Sequence, residues 1–140
     1  LKIILVTPNL VVLTKEARAI LPKEVPMKSF VSNMANASLI TAAFSKNDYS
    51  LFARSLHDVI VEPVRSKLIK GFDAVKKAAL DAGADGMTIS GSGPTVFAVT
   101  NSLEKSRKIE SAMVKAFADA GVKSESIVTG VDEKGTRLIG

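Results

Sequence analysis

The sequence predicts an α+β sandwich, and three observations carry the prediction. Short runs of apolar and β-branched residues, among them Ile3 to Val6, Met87 to Ile89 and Thr95 to Val99, have the length and composition of strands. Between them lie longer stretches whose apolar residues recur at helical spacing. Each of those stretches has one apolar stripe, so helices packed on one face of a sheet bury both layers.

The first strand starts in the apolar run Leu1 to Val6, which only Lys2 interrupts, and ends at Pro8. Thr14 is expected to cap a short helix that runs through Ile20 and stops at Pro22. Pro26 precedes a longer helix from Lys28 to Phe44, where Phe30, Met34, Ala37, Ile40 and Phe44 keep helical spacing. Asn47-Asp48 breaks that run, and a second short helix from Tyr49 to Leu56 completes a helical hairpin. A third helix is predicted from about Pro63, which suits a first turn, to Asp81, with Gly83 ending it. Leu68, Ile69, Phe72, Val75, Ala79 and Leu80 form its buried stripe.

Strands at Met87 to Ile89 and Thr95 to Val99 flank a glycine-rich turn. Ser102 then offers an N-cap, with Glu104 early in the first turn, for a helix through Ala120 that Gly121 stops. Its buried side is expected to hold Ile109, Ala112, Met113, Ala116 and Phe117. Two last strands, Ser126 to Val131 and Thr136 to Ile139, are joined by the turn Asp132-Glu133-Lys134-Gly135.

Composition narrows the function classes. At 140 residues, with 46% hydrophobic and 24% charged residues, the chain is sized for one globular domain. It has no cysteine, which excludes a disulfide framework and a thiolate metal site. No apolar run approaches the ~18 residues of a spanning helix, so no membrane role is expected. The net charge of +5 comes from scattered basic residues interleaved with acids, as from Glu104 to Glu110. With one tyrosine and no tryptophan to stack on bases, nucleic acid is not the expected partner. Charge of this kind serves solubility and attraction of small anions.

The stretch from Gly83 to Thr95 reads GADGMTISGSGPT and is the most informative of the chain. Glycines at 91 and 93 permit positive φ and close backbone approach, and they follow a strand end. Ser90, Gly91, Ser92 and Gly93 are therefore candidates for a backbone nest that holds an anion. A tight turn joining two strands is the plain alternative. The stretch lacks both G-x-G-x-x-G opening a helix and G-x-x-x-x-G-K-[ST].

S-G-S-G-P-T after a Gly-Ala-x-Gly approach resembles the third motif of the GHMP small-molecule kinases, a loop that lies near the phosphates in that family. Two further segments look like the homoserine kinase branch: Thr14-Lys15-Glu16-Ala17-Arg18 before Leu21-Pro22, and Ile60-Val61-Glu62-Pro63-Val64-Arg65. The resemblance covers nearly the whole chain and implies a ferredoxin-like antiparallel sheet. It also implies ATP and Mg²⁺ as cofactors, L-homoserine as acceptor, and metal ligands and a P-x-x-x-G-L-G-S-S phosphate loop in an N-terminal half. That loop does not occur in this sequence. The chain is expected to be the C-terminal half of a longer cytoplasmic or plastid enzyme, inactive by itself, with a homodimer possible.

Residue by residue, the resemblance implies that Arg18 and Arg65 bind the substrate carboxylate and that the Thr14 hydroxyl sits near the reacting phosphoryl group. An arginine fork binds a carboxylate bidentately, which lysine cannot do. Taken alone, Arg18 reads as a surface arginine near a helix C-terminus and Thr14 as a cap. Glu62 and Pro63 are expected to shape the turn presenting Arg65, with Asp58 a partner for that arginine. Asn33 is a weak candidate for reaching substrate, whereas Asn36 is expected to face water. His57, the single histidine, is left without a catalytic role, and Asp81 and Asp85 are read as turn residues. Two other readings stay open: a kinase for another small alcohol such as mevalonate, and a noncatalytic ferredoxin-like binding or dimerisation module.

Overall fold

The computed structural model describes residues 1–138. Strand β1 (Lys2–Pro8) leads into helix α1 (Thr14–Ala19), the long α2 (Met27–Lys46), α3 (Tyr49–Ser55) and a single turn, α4 (Glu62–Arg65). A 3-10 turn at Ser66–Leu68 precedes α5 (Phe72–Asp81). Strands β2 (Gly86–Ile89) and β3 (Val96–Thr100), helix α6 (Leu103–Asp119) and strand β4 (Ser124–Thr129) complete the order. Among the described residues no helix is long and apolar enough to cross a membrane.

The four strands form one sheet in the order β2-β3-β1-β4, with every neighbouring pair antiparallel. Two split βαβ units give this ferredoxin-like arrangement. From Ile3 onward burial along β1 alternates, with Ile4, Val6 and Pro8 turned inward while Ile3, Leu5 and Thr7 are not. Helices α5 and α6 cover that inner face. Val75 from α5 and Ile109, Met113 and Phe117 from α6 are wholly buried against Met87, Val96 and Ala98. Each large side chain buried in this way contributes about 1.5–3 kcal/mol. The α+β class expected from the sequence is the one observed.

Helix α3 reaches the sheet from the other side. Gly86 neighbours the inward Met87 on β2 and so faces away from α5 and α6, and a Cβ there would lie 3.2 Å from Leu56. The α2–α3 hairpin turns where expected: Asn47 adopts φ 51° and the Asp48 carboxylate accepts from the Leu51 N–H at 2.9 Å. Phe44 and Phe52 lock its two arms, with ring centroids 5.1 Å apart.

Several expectations are corrected. Thr14 is the first helical residue, not the cap; Leu13 holds the cap position with no side-chain bond. The single helix expected from Pro63 to Asp81 is broken into α4, the 3-10 turn and α5. Ile69 is extended and Gly71 sits at φ 87°, a conformation no helix interior tolerates. A Cβ on Gly71 would meet that of Ala120 at 2.8 Å, so the break lets α6 pack close. Leu80, assigned to the buried stripe, is exposed, and Leu68, Ala112 and Ala116 are only partly buried. Strand β4 begins and ends two residues earlier than expected. Residues 136–138 are not a strand, and Ile139 lies outside the described residues. The turn before them does form, with Lys134 N–H donating to Asp132 at 2.9 Å and Gly135 at φ 66°.

Antiparallel pairing carries the site to one end of the sheet. Val6 of β1 pairs with Val96 of β3, which pairs with Ile89 of β2, so the β1–α1 connection and the β2–β3 turn emerge together.

Candidate functional site

The β2–β3 turn is tightly built. Ser90 N–H donates to the Thr95 carbonyl at 2.8 Å, and Gly93 N–H donates to the Ser90 carbonyl at 3.0 Å. Gly91 holds φ 60° and Gly93 φ 80°, values that glycine adopts without penalty. The two glycines differ in surroundings. A Cβ on Gly91 would meet nothing within 4 Å, whereas one on Gly93 would lie 3.1 Å from Ile69 and 3.4 Å from Ile89. Among the described residues the N–H groups of Gly91 and Ser92 have no hydrogen-bond acceptor. The Thr7 and Thr95 hydroxyls share a hydrogen bond of 2.9 Å, tying the base of the turn to β1.

Arg65 is the residue around which the site closes. It ends α4, and its side chain reaches two other segments: Nε donates to the Ala17 carbonyl at 3.2 Å and Nη1 to the Gly91 carbonyl at 3.0 Å. Two of five guanidinium N–H donors are thereby used. The fork is thus anchored on α1, one residue from Arg18, and on the glycine turn.

Thr14 and Arg18 both lie on α1, four residues apart and therefore on one face, and both are exposed. Ala17 between them is fully buried and seats the helix. Among the described residues Arg18 makes no ion pair. Through Arg65 the structure links α1 to the turn at 90–93; no hydrogen bond or ion pair among the described residues joins the Thr14 or Arg18 side chain to it.

What holds α4 was not foreseen. A four-residue helix cannot stabilise itself. Asp58 does not pair with Arg65; its carboxylate turns to the start of α4. Oδ1 accepts from the N–H groups of Ile60 at 2.8 Å and Val61 at 2.9 Å, and Oδ2 from that of Glu62 at 3.2 Å. Asn33 on α2 donates to the same carboxylate at 2.6 Å and accepts from Val59 N–H at 3.0 Å. Burial pushes the Asp58 carboxyl upward, but these hydrogen bonds outweigh it and hold it below the usual carboxylate value. Asn36, partly exposed, also donates to the His57 carbonyl at 2.8 Å.

Glu62 is buried and pairs with Lys76 of α5, so α4 is fastened at both sides. Asp85, read as a turn residue, accepts from the Tyr49 hydroxyl at 2.6 Å; desolvation, then the Asp85 contact, raise the Tyr49 pKa. A sequence signal for the Asp58 role existed: aspartate four residues before Glu62-Pro63 is a local capping pattern.

A groove of about 610 Å³ is lined by Thr7 to Leu10 and Lys123 to Glu125, on the β4 side. None of the candidate residues lines it. A shallower hollow of about 260 Å³ includes Asn33, His57, Asp58 and Thr88. Among the described residues no group of three or more His, Asp or Glu side chains is placed to hold a metal ion.

The sequence pattern of the family described as GHMP kinases C terminal matches residues 40–119. A homoserine kinase of Methanocella arvoryzae is 45% identical over 137 residues, covering 98% of this chain and 45% of that protein. One from Arabidopsis thaliana is 46% identical over 138 residues, covering 97% of this chain and 37% of that protein. The crystal structure of homoserine kinase from Cytophaga hutchinsonii superposes with a TM-score of 0.89 at 47% identity, covering 93% of this chain and 41% of that one. The chain therefore spans less than half the length of these relatives.

Proposed function

The chain belongs to the GHMP kinase family, whose C-terminal part it matches, and from that premise we propose that it forms the acceptor-binding part of an ATP-dependent homoserine kinase. In this reading the whole enzyme transfers the γ-phosphoryl group of ATP to the L-homoserine hydroxyl. A P–O bond to that oxygen forms, the bond to the β-phosphate oxygen breaks, and the hydroxyl proton is released, giving ADP and O-phosphohomoserine. The product would feed threonine biosynthesis in the cytoplasm or a plastid.

The observation that carries the reading is the Arg65 fork, fixed between the Ala17 carbonyl and the Gly91 carbonyl. Its three remaining N–H donors and the exposed Arg18 suit an α-carboxylate. The unpartnered N–H groups of Gly91 and Ser92 suit a phosphate oxygen. Because one guanidinium touches both the acceptor side and the turn, it sets the distance between hydroxyl and phosphate. Positioning of this kind is most of what phosphoryl transfer asks of a protein. Thr14, at the head of α1, is the candidate for contact with the reacting group.

Mg²⁺, the principal phosphate loop and its ligands are assigned to sequence outside this chain, so the 140 residues alone are expected to be inactive. A homodimer is compatible with the exposed edge of β4 and is part of the same proposal. The test is an acceptor panel on the full-length enzyme: ADP release with L-homoserine, mevalonate or no acceptor. Homoserine-dependent release supports the proposal. Preference for mevalonate, or binding without turnover, would replace it.

A further inference from the structure

We propose that Asp58, held by Asn33, is a positioning residue that aims Arg65 at the substrate carboxylate. The inference rests on the homoserine kinase reading and extends it to residues that never touch substrate.

Helix α4 is one turn long and Val61 at its cap position makes no side-chain bond, so its first N–H groups need an outside acceptor. Asp58 supplies it, taking the N–H groups of Ile60, Val61 and Glu62 at 2.8, 2.9 and 3.2 Å. Its own orientation is set from α2. Asn33 donates to Asp58 at 2.6 Å and receives Val59 N–H at 3.0 Å, so one amide side chain cross-links the hairpin to two adjacent residues just ahead of α4. Arg65 leaves the chain one turn after Glu62 and must reach both Ala17 and Gly91. The direction of α4 therefore decides where the guanidinium points. The Glu62 side chain pairs with Lys76 of α5, a second anchor on α4.

A side chain acting only through Arg65 should matter only while Arg65 is present. In the full-length kinase, Asp58→Asn and Asn33→Ala should each raise the KM for L-homoserine about tenfold, within the range of couplings inside one hydrogen-bonded network, and leave the KM for ATP within about twofold. In an Arg65→Leu background the same changes should add less than about twofold. Thermal melts on the same preparations separate this from a loss of fold. If Asp58→Asn does not fold, Asn33→Ala alone and in the Arg65→Leu background decides the question.

Full additivity with Arg65→Leu, an equal rise in both Michaelis constants, or unchanged kinetics would overturn the positioning role. If Arg65→Leu itself leaves the homoserine KM unchanged, it is the carboxylate reading that fails. If Arg65→Leu raises it and the Asp58 and Asn33 variants do not, only the positioning role falls.

Discussion

The Arg65 guanidinium donates to the Gly91 carbonyl at 3.0 Å, joining the end of a one-turn helix to the first glycine of a strand-to-strand turn. These residues are 26 apart in sequence; antiparallel pairing of β1, β2 and β3 brings the turn beside the β1–α1 connection, and the Arg65 side chain reaches from α4 to both. The carbonyl of Gly91 faces the arginine while its N–H has no acceptor among the described residues. A rigid cation thus holds the turn from one side and leaves its donors available on the other.

Alanine at Gly91 and at Gly93 should separate function from folding. Both glycines have positive φ, so either substitution costs about 1–2 kcal/mol of backbone strain. Gly93→Ala also drives a methyl group to 3.1 Å from Ile69 and should lower the melting temperature further. Gly91→Ala meets open space, so its stability loss should be the smaller while ATP affinity or turnover falls. Melts and steady-state kinetics on the same preparations check this. Full activity of Gly91→Ala would show that the turn only connects two strands.

Gly71→Ala should destabilise by about 2–4 kcal/mol, combining left-handed strain with a contact of 2.8 Å to the Ala120 methyl. Pairing it with Ala120→Gly should recover the steric part and leave the strain. Urea denaturation measures both. A neutral Gly71→Ala would mean that α5 can extend backward through the break.

The periodic elements were legible because burial enforces their pattern. In α6 the Ser102 cap, the Gly121 stop and the buried Ile109, Met113 and Phe117 all follow from spacing. The break at Gly71 was not read because apolar residues from Leu68 to Leu80 keep helical spacing across it, and one glycine is a weak signal inside such a run. At the site, the candidate segments came from motif resemblance and do converge. The supports of α4 stayed hidden because Asn33 to Asp58 and Lys76 to Glu62 are tertiary contacts with no sequence period. Residues 136–138 had strand-like composition, but composition does not supply a pairing partner.

Acid should expose the Asp58 anchor. Its folded carboxyl lies below the ordinary value of 3.8, so the stability it adds is present above that value and is lost as pH falls through the lower, folded one. Asp58→Asn should therefore melt below wild type at neutral pH, and the gap should narrow as pH drops below about 4. Melting temperatures of both proteins between neutral and acid pH measure it. A gap independent of pH would mean that the charge of Asp58 contributes nothing.

The most direct measurement compares L-homoserine with its carboxamide in full-length wild type, Arg18→Leu and Arg65→Leu. Loss of a charge-assisted bidentate contact in a partly buried site costs about 2–4 kcal/mol. Wild type should favour the carboxylate strongly, and Arg65→Leu should raise the homoserine KM far more than that for ATP and erase the preference. Arg18→Leu should act in the same direction with little change in melting temperature, because that side chain is exposed and free of ion pairs among the described residues. Equal losses toward homoserine, carboxamide and ATP would contradict carboxylate recognition and leave Arg65 as a brace for the turn.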